Sequence, residues 1–216
     1  MGGRLIRSFS IGILMLLLLG GMILYMTIGD FIVSLKPGKS FEELMDMDKV
    51  KSGMHIKGIL YAYGPFAKEE TYTQNSNGSR TPSKTSHYYF AVPVSGGNGC
   101  IALEVSASGN QAMNDLTDET LEYSLGGVSP TAVATVDGIT KKMEDDMKKL
   151  FQNYLKNDLG FTEEQIEGMS MIFIEQPYSM RTVQIMFLVG LIPFALGIFL
   201  LIRNYKKNAP DTIFRA

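Results

Sequence analysis

Two long, uncharged apolar segments, one near each end of the sequence, constrain this chain more than any other feature. The first covers residues 8–29 (SFSIGILMLLLLGGMILYMTIG) and the second residues 182–202 (TVQIMFLVGLIPFALGIFLLI). A helix of about 20 residues, rising about 1.5 Å per residue, crosses the roughly 30 Å hydrocarbon core of a bilayer. Both runs are too continuous for the alternating strand of a membrane barrel. The sequence therefore predicts two transmembrane helices, at 8–29 and 182–202.

Each segment has one alternative interpretation. The first could be a cleaved signal peptide, but its apolar core is longer than the usual one and residues 25–28 offer no small-x-small cleavage site. The second could be a buried helix of a soluble core. Arg181 and Arg203 bracket it, however, and Pro193 in its middle is tolerated in membrane helices, where we expect it to kink the helix.

Glycines within the two apolar segments could let the helices approach each other closely. Gly190 and Gly197 are seven residues apart and share a helix face, and Gly20 and Gly21 lie in the first segment. The alternative is that they reflect the ordinary glycine content of membrane helices.

Basic residues indicate the orientation of the chain. They flank the apolar segments on the sides away from the middle of the sequence, at Arg4, Arg7, Arg203, Lys206 and Lys207. Basic residues next to membrane helices favour the cytoplasmic side. We therefore expect a cell-membrane protein with a cytoplasmic N-terminus (1–7), a cytoplasmic tail (203–216) and an extracytoplasmic domain (30–181).

The middle domain is acidic and poor in metal-binding side chains. Residues 30–180 hold 21 acidic against 13 basic residues, a balance of −8. Nucleic-acid binding needs a basic surface, so a nucleic-acid partner is not expected. Cys100 is the only cysteine and His55 and His87 are the only histidines, which excludes an internal disulfide and argues against a multi-histidine metal site. We expect Cys100 to be a buried strand residue, and no cofactor.

Periodicity and turn residues predict an α+β domain between the two segments. The predicted strands cover residues 55–63, 87–94, 100–106, 131–139 and 170–175, and the predicted helices residues 40–47, 111–125, 143–155 and 162–168. The order α-β-β-β-α-β-α-α-β favours a small, mostly antiparallel sheet or a partly open barrel, with an OB-like barrel as a special case. Gly58 within the first strand predicts a bulge or a sharp bend, as in small barrels.

Helix boundaries and faces carry their own signals. Ser40 with Glu43, and Thr162 with Gln165, have the spacing of capping boxes. The helix at 143–155 is amphipathic and should close at Gly160. Its predicted core face consists of Met143, Met147, Leu150, Phe151, Tyr154 and Leu155.

No motif in the sequence identifies catalytic, cofactor-binding or metal-binding residues. The acid pairs at 42–43 and 163–164, and the acids at 144–146, suit the first turns of helices, and the pair at 69–70 suits a solvated loop. Two hypotheses stay open. His55 and His87 begin strands and would be neighbours if those strands pair. The other is an exposed aromatic patch meeting a partner, a polymer or the lipid surface, formed by Tyr61, Tyr63, Tyr72, Tyr88, Tyr89, Phe66 and Phe90.

Asn77-Gly78-Ser79 is a glycosylation sequon, whose weight depends on the host.

The layout of the chain resembles that of known families. A short anchor, a domain beginning with a G-x-x-x-x-G-type strand (GMHIKG, residues 53–58) and a closing span resemble uncharacterised two-span membrane proteins of Gram-positive bacteria. The layout is also similar to that of GIDE/BAM-type two-span proteins, although no RING module follows the second span. Neither resemblance implies an activity or a site residue.

These observations favour a membrane-anchored extracytoplasmic module that is not an enzyme. It would bind a protein partner or an envelope component, or serve as an accessory subunit of a membrane complex. An ectoenzyme with an unrecognised active site is one alternative, and a transporter or channel subunit is another. The apolar segments carry no ionisable residue, whereas transport pathways usually need one.

Overall fold

The computed structural model describes residues 10–74, 76–131, 134–176 and 179–207. Outside these ranges lie the predicted cytoplasmic segment 1–7, the start of the first apolar segment, two residues of the predicted strand 131–139 and the end of the tail. The chain divides into two compact units. One contains Met1–Ser34 with Met180–Ala216, and the other contains Leu35–Ser179.

The first unit contains two helices that are long and apolar enough to cross a membrane. Helix α1 covers Ile11–Ser34 and helix α6 covers Met180–Lys207, so both extend beyond the predicted segments at their C-terminal ends. Pro193 lies inside α6, which continues as one helix on both sides of it. Most of their large apolar side chains are exposed, as expected of helices that face lipid.

Glycines bring α1 and α6 into close contact. A Cβ atom on Gly20 would lie 2.7 Å from the backbone nitrogen of Phe194 and 2.8 Å from the carbonyl oxygen of Gly190. A Cβ atom on Gly190 or Gly197 would lie 2.8 or 2.9 Å, respectively, from side-chain atoms of α1. On Gly21 the nearest atom would be 3.5 Å away, an ordinary contact distance. Of the two readings that the sequence left open, close helix approach is therefore the one seen at Gly20, Gly190 and Gly197.

Ring stacking and a polar contact add to the helix pair. The rings of Phe31 and Phe187 stack with centroids 3.9 Å apart and planes 7° from parallel. Near the same end, the side-chain amide of Gln184 donates to the carbonyl oxygen of Ser34 at 3.4 Å. Close van der Waals packing thus holds the two helices together, and the Gln184–Ser34 contact adds to it near one end.

The second unit is an α+β domain, as predicted. Its elements are α2 (Phe41–Met45), β1 (His55–Ile59), β2 (Pro65–Thr71), β3 (Lys84–Val94), β4 (Gly99–Ser106), α3 (Asn110–Ser124), β5 (Ala134–Lys142), α4 (Asp145–Asn157), α5 (Glu163–Gly168) and β6 (Ile172–Glu175). The strands form one sheet in the order β1-β5-β6-β4-β3-β2. Every neighbouring pair is antiparallel except β4 and β6. The sheet does not close into a barrel.

The predicted bulge in β1 is present and changes which residues are buried. Gly58 has a φ of +77°, and the pairing with β5 shifts between Lys57 and Ile59. As a result Ile56 and Ile59 are both fully buried. Strict alternation from Ile56 would instead bury Leu60, which is only half-buried.

Helices cover both faces of the sheet. On the first face, Leu44 of α2 and Leu116 of α3 pack in a cluster with strand residues such as Phe90 and Leu103. On the second face, α4 and α5 pack over Ala91, Cys100 and Ala102, using Phe151, Leu155 and Ile166. Cys100 is buried as predicted, and this burial raises the pKa of its thiol to about 12.

The buried stripe of α4 is narrower than predicted. Phe151 and Leu155 are fully buried, but Leu150 is 51% exposed. Met143 precedes the helix, which begins at Asp145. The prediction that Leu150 faces the core was therefore wrong, because α4 covers only part of the second sheet face.

Both predicted capping boxes are confirmed. The backbone N–H of Glu43 donates to the Ser40 hydroxyl at 3.3 Å, and the Ser40 N–H donates to the Glu43 carboxylate at 2.8 Å. Thr162 and Gln165 make the same reciprocal pair at the start of α5. Before that helix the chain turns at Gly160, with a φ of +73°.

Candidate binding cleft on the second sheet face

The second face of the sheet is apolar at one end of its strands and polar at the other. Its covered end carries small apolar residues, Ala91 and Ala102, which are cross-strand partners in β3 and β4. Two residues further along, Tyr89 of β3 pairs with Glu104 of β4. Because side chains alternate along a strand, these polar residues share the face of the alanines. The same strands therefore supply an apolar floor under α4 and a polar floor beyond it.

The polar floor lies in a cavity of about 500 Å³. Five elements contribute to its walls: β2, β3 and β4, together with the β5–α4 region and β6. The cavity is lined by four carboxylates (Glu69, Glu104, Glu144, Glu175), two ammonium groups (Lys141, Lys142) and the side chains of Tyr89, Met147 and Phe173. A concave site with a few convergent polar groups is the usual form of a ligand-binding site.

His87 connects two of these carboxylates at the edge of the cleft. Its Nδ1 lies 3.1 Å from a carboxylate oxygen of Glu69, its cross-strand partner in β2. Its Nε2 lies 3.5 Å from a carboxylate oxygen of Glu104 on β4. The imidazole thus spans β2, β3 and β4 and orders the two carboxylates around it.

Burial affects the ionisation of Glu104 in the cleft. It raises the pKa of Glu104 above its ordinary value, and the nearby charges of Glu175 and Glu69 raise it further, while His87 and Lys141 oppose the change. Burial likewise raises the pKa of the Tyr89 phenol to about 12, assisted by Glu104. Tyr89 therefore remains a neutral hydrogen-bonding group at physiological pH.

Contacts near the end of β6 hold the other wall of the cleft. A carboxylate oxygen of Glu175 lies 2.5 Å from the ammonium of Lys141 on β5. The side-chain amide of Gln176 donates to the backbone carbonyl of Glu104 at 3.0 Å. These contacts connect the end of β6 to β5 and to β4, which fixes the position of Glu175 in the cleft.

The polar side chains that line the cleft do not correspond to a recognised set of catalytic residues. Within the described ranges, no group of three or more histidine, cysteine, aspartate or glutamate residues is placed to hold a metal ion. Cys100 is buried in the second core, and its raised pKa disfavours the reactive thiolate. The arrangement suits recognition of a ligand by charge and hydrogen bonding.

The two histidines are not neighbours, contrary to the sequence hypothesis. His55 lies in β1 and His87 in β3, and the sheet order places β5, β6 and β4 between them. Strand order in a mixed sheet depends on long-range pairing, which strand-start residues do not encode. His55 contacts Asp137 and His87 contacts Glu69 and Glu104, so each has a separate environment.

The aromatic residues do not form one exposed patch. Tyr61 and Tyr88 pack against the first core, Tyr63 and Phe66 against the second, and Phe90 is fully buried. Of the predicted set, Tyr72 is more exposed, at 50%, and Arg80 lies over its ring. Tyr89 is the member that reaches the cleft.

Sequence reasoning missed Glu69 and Glu104 as cleft residues. The acid pair at 69–70 was predicted to lie in a solvated loop, but both residues belong to β2. Glu69 is half-exposed at the cleft edge, with His87 as its cross-strand partner. The consecutive predicted strands 87–94 and 100–106 offered one usable signal, because their antiparallel pairing places Tyr89 opposite Glu104.

Substitution of Glu104 by glutamine is expected to stabilise the domain at neutral pH. The folded-state pKa of Glu104 is raised, so its stabilising contribution is present below the unfolded-state pKa and is lost as pH rises through the folded-state value. Above that window the wild type carries a half-buried charge that Glu104→Gln removes, worth at most about 1 kcal/mol after solvent screening. Thermal unfolding from pH 4 to 8 checks this: the variant's advantage should grow with pH, and an advantage that shrinks would contradict it.

Comparison with known proteins identifies the family of this chain. Residues 3–203 match the family described as Domain of unknown function (DUF8577), so the chain belongs to that family. No curated protein and no solved structure matches the chain.

Proposed function

We propose that this member of the DUF8577 family is a two-span membrane protein that presents a non-enzymatic binding domain outside the cytoplasm. The observation that carries the proposal is a pair of long apolar helices that pack together through Gly20 and Gly190 and that precede and follow an α+β domain in the sequence. The basic residues outside the helices support cytoplasmic ends. The resemblance of its sequence layout to that of two-span proteins of Gram-positive bacteria supports the cell membrane as its location.

The cleft on the second sheet face is the binding site in this proposal. Four carboxylates face it against two lysines, and one of these lysines, Lys141, is already paired with Glu175. The remaining acidic groups and the ring of Tyr89 favour a positively charged group, through charge-assisted hydrogen bonds and cation–π contact. The partner is therefore a protein or envelope component that presents a basic side chain.

Labelling of introduced cysteines tests the topology. In a Cys100→Ser background, Tyr72→Cys places a thiol at an exposed site of the domain and Lys207→Cys places one at the end of α6. A membrane-impermeant maleimide should label position 72 in intact cells and position 207 only after permeabilisation. The opposite pattern would overturn the orientation, and recovery of the protein in the soluble fraction would overturn the membrane anchoring.

Charge reversal in the cleft tests the binding site. Glu104→Lys should reduce recovery of co-purifying partners from mild detergent at least tenfold, because it makes the cleft repel a basic group. Asp118→Lys is the matched control, since it makes the same charge change on the exposed face of α3 and should leave recovery unchanged. Equal recovery with both variants would remove the cleft from the proposal while leaving the membrane topology intact.

A further inference from the structure

His55 is a buried histidine whose two ring nitrogens both face oxygen atoms. Its side chain is 5% exposed at the start of β1. Nδ1 lies 3.0 Å from the backbone carbonyl oxygen of Lys36, and Nε2 lies 2.6 Å from a carboxylate oxygen of Asp137 on β5. Both separations are those of hydrogen bonds, so the ring is fully engaged.

The two oxygen atoms that face the His55 ring indicate how many protons the ring carries. A backbone carbonyl oxygen only accepts, so Nδ1 must carry a hydrogen atom. The contact between Nε2 and Asp137 then needs a second proton, and imidazole is the stronger base of the two groups in water. A doubly protonated ring beside the Asp137 carboxylate satisfies both contacts. Without the second proton, a nitrogen lone pair would face a negatively charged oxygen at 2.6 Å.

The carbonyl that His55 holds belongs to a short segment lying along the open edge of the sheet. We call residues 36–40 the strap. The N–H of Lys39 donates to the carbonyl of His55, and the N–H of Lys57 donates to the carbonyl of Lys39, both at 2.8 Å. These bonds form a parallel bridge between Lys39 and Ile56. The strap thus covers backbone groups of β1 that would otherwise form an exposed edge.

Close packing leaves little room between the strap and the strand. A Cβ atom on Gly38 would lie 2.6 Å from Cγ of Lys57 and 3.2 Å from the His55 ring. The strap begins two residues after Ser34, the last residue of α1. It is therefore the segment that connects the first apolar helix to the sheet.

We propose that the strap is a proton-dependent latch, closed by the His55 imidazolium and opened when that ring loses its second proton. In the closed state the ring bridges the Lys36 carbonyl and Asp137. In the open state Nε2 and Asp137 repel each other, the ring leaves its position, and the edge of β1 becomes available for pairing.

Charged groups around His55 act in both directions. Two acidic residues favour the imidazolium. Asp137 of β5 contacts the ring directly. Glu175 of β6 is the cross-strand partner of Ile139, which in turn pairs with His55. The cations that oppose it belong to β1, β5 and the strap, at Lys57, Lys141, Lys36 and Lys39. Of these charged groups Asp137 is the one in direct contact with the His55 ring, and Lys141 is itself paired with Glu175.

The presence of two histidines in the chain makes a direct test practical. The full-length protein, labelled with ¹⁵N in its histidine rings and placed in lipid nanodiscs, gives two sets of ring signals, and His87→Gln identifies those of His55. We expect both ring nitrogens of His55 to be protonated while the amides of Lys39 and Lys57 are protected from hydrogen exchange. Once the ring signals report that His55 has lost its second proton at higher pH, exchange at these amides should be at least tenfold faster than the intrinsic increase with pH explains.

Asp137→Asn separates the latch from a merely structural contact. The asparagine amide can donate to a neutral Nε2, so the strap should stay closed and its exchange should lose the additional dependence on pH. His55→Phe should leave the amides of Lys39 and Lys57 exchanging rapidly at every pH. Protected amides in the wild type with a singly protonated His55 ring would overturn the proposal, as would a pH dependence that Asp137→Asn does not remove.

Discussion

Replacement of Phe151 by alanine is expected to lower the free energy of unfolding of the α+β domain by about 3–5 kcal/mol, the usual cost of removing a buried aromatic ring. Phe151 is 0% exposed. Its ring packs against Phe66, with centroids 4.9 Å apart, and against the small residues Ala91 and Ala102. The side chains of Ala91 and Ala102 are too short to move into the space left by the ring, so most of the cavity would remain. Denaturant titration of the full-length protein, followed by tyrosine fluorescence because the chain lacks tryptophan, measures the loss.

Leu150→Ala is the matched control for this prediction. Leu150 precedes Phe151 in the same helix but is 51% exposed, so its truncation should change the free energy of unfolding by no more than about 0.5 kcal/mol. Equal losses at the two positions would mean that the buried stripe of α4 includes Leu150, as the sequence periodicity had suggested.

Gly20→Ala is expected to force α1 and α6 apart, at a cost of about 1–3 kcal/mol, the usual range for overpacking. The added Cβ would meet the backbone nitrogen of Phe194 and the carbonyl of Gly190 at less than 3 Å. Backbone atoms have no alternative rotamer, so only separation of the helices relieves the contact. Cross-linking of Phe31→Cys with Phe187→Cys in a Cys100→Ser background measures the effect, because the native rings at these positions stack at 3.9 Å. The cross-linked fraction should fall clearly in Gly20→Ala.

Gly29→Ala provides the control in the same helix. A Cβ atom at this position would meet nothing within 4 Å. Alanine favours helix over glycine by roughly 1 kcal/mol in an exposed helix interior, so this variant should cross-link as well as the parent and be at least as stable. If both alanine variants behaved alike, the glycine contact would not determine how the helices pack.

Features of the fold that depend on local signals could be predicted from the sequence. Reciprocal hydrogen bonds at Ser40 and Thr162 involve residues three positions apart, and the alternation that buries Phe90 and Val92 lies within one strand. Strand β2 was missed because Lys68, Glu69 and Glu70 interrupt its alternation. Its conformation comes from pairing with β3, a contact that its own composition does not reveal.

The cleft could be predicted far less well than the fold. Its carboxylates come from β2, β4, β6 and the residue before α4, so their meeting depends on sheet order and on the placement of α4. The sequence assigned Glu69 and Glu144 to solvent and to a helix start, which are adequate local explanations. What no local pattern indicates is that α4 stops short of covering His87 and Tyr89, which leaves the polar part of the face open.

The position of β6 constrains when the domain can fold during synthesis. This strand comes last in the domain sequence, yet it lies between β5 and β4 and joins the two parts of the sheet. A nascent chain that ends before residue 172 contains β1 with β5, and β2 with β3 and β4, as two sets of strands without their link. The sheet can be completed only when the residues immediately before α6 have emerged. Domain folding and delivery of the second apolar helix are therefore nearly simultaneous events in the synthesis of this chain.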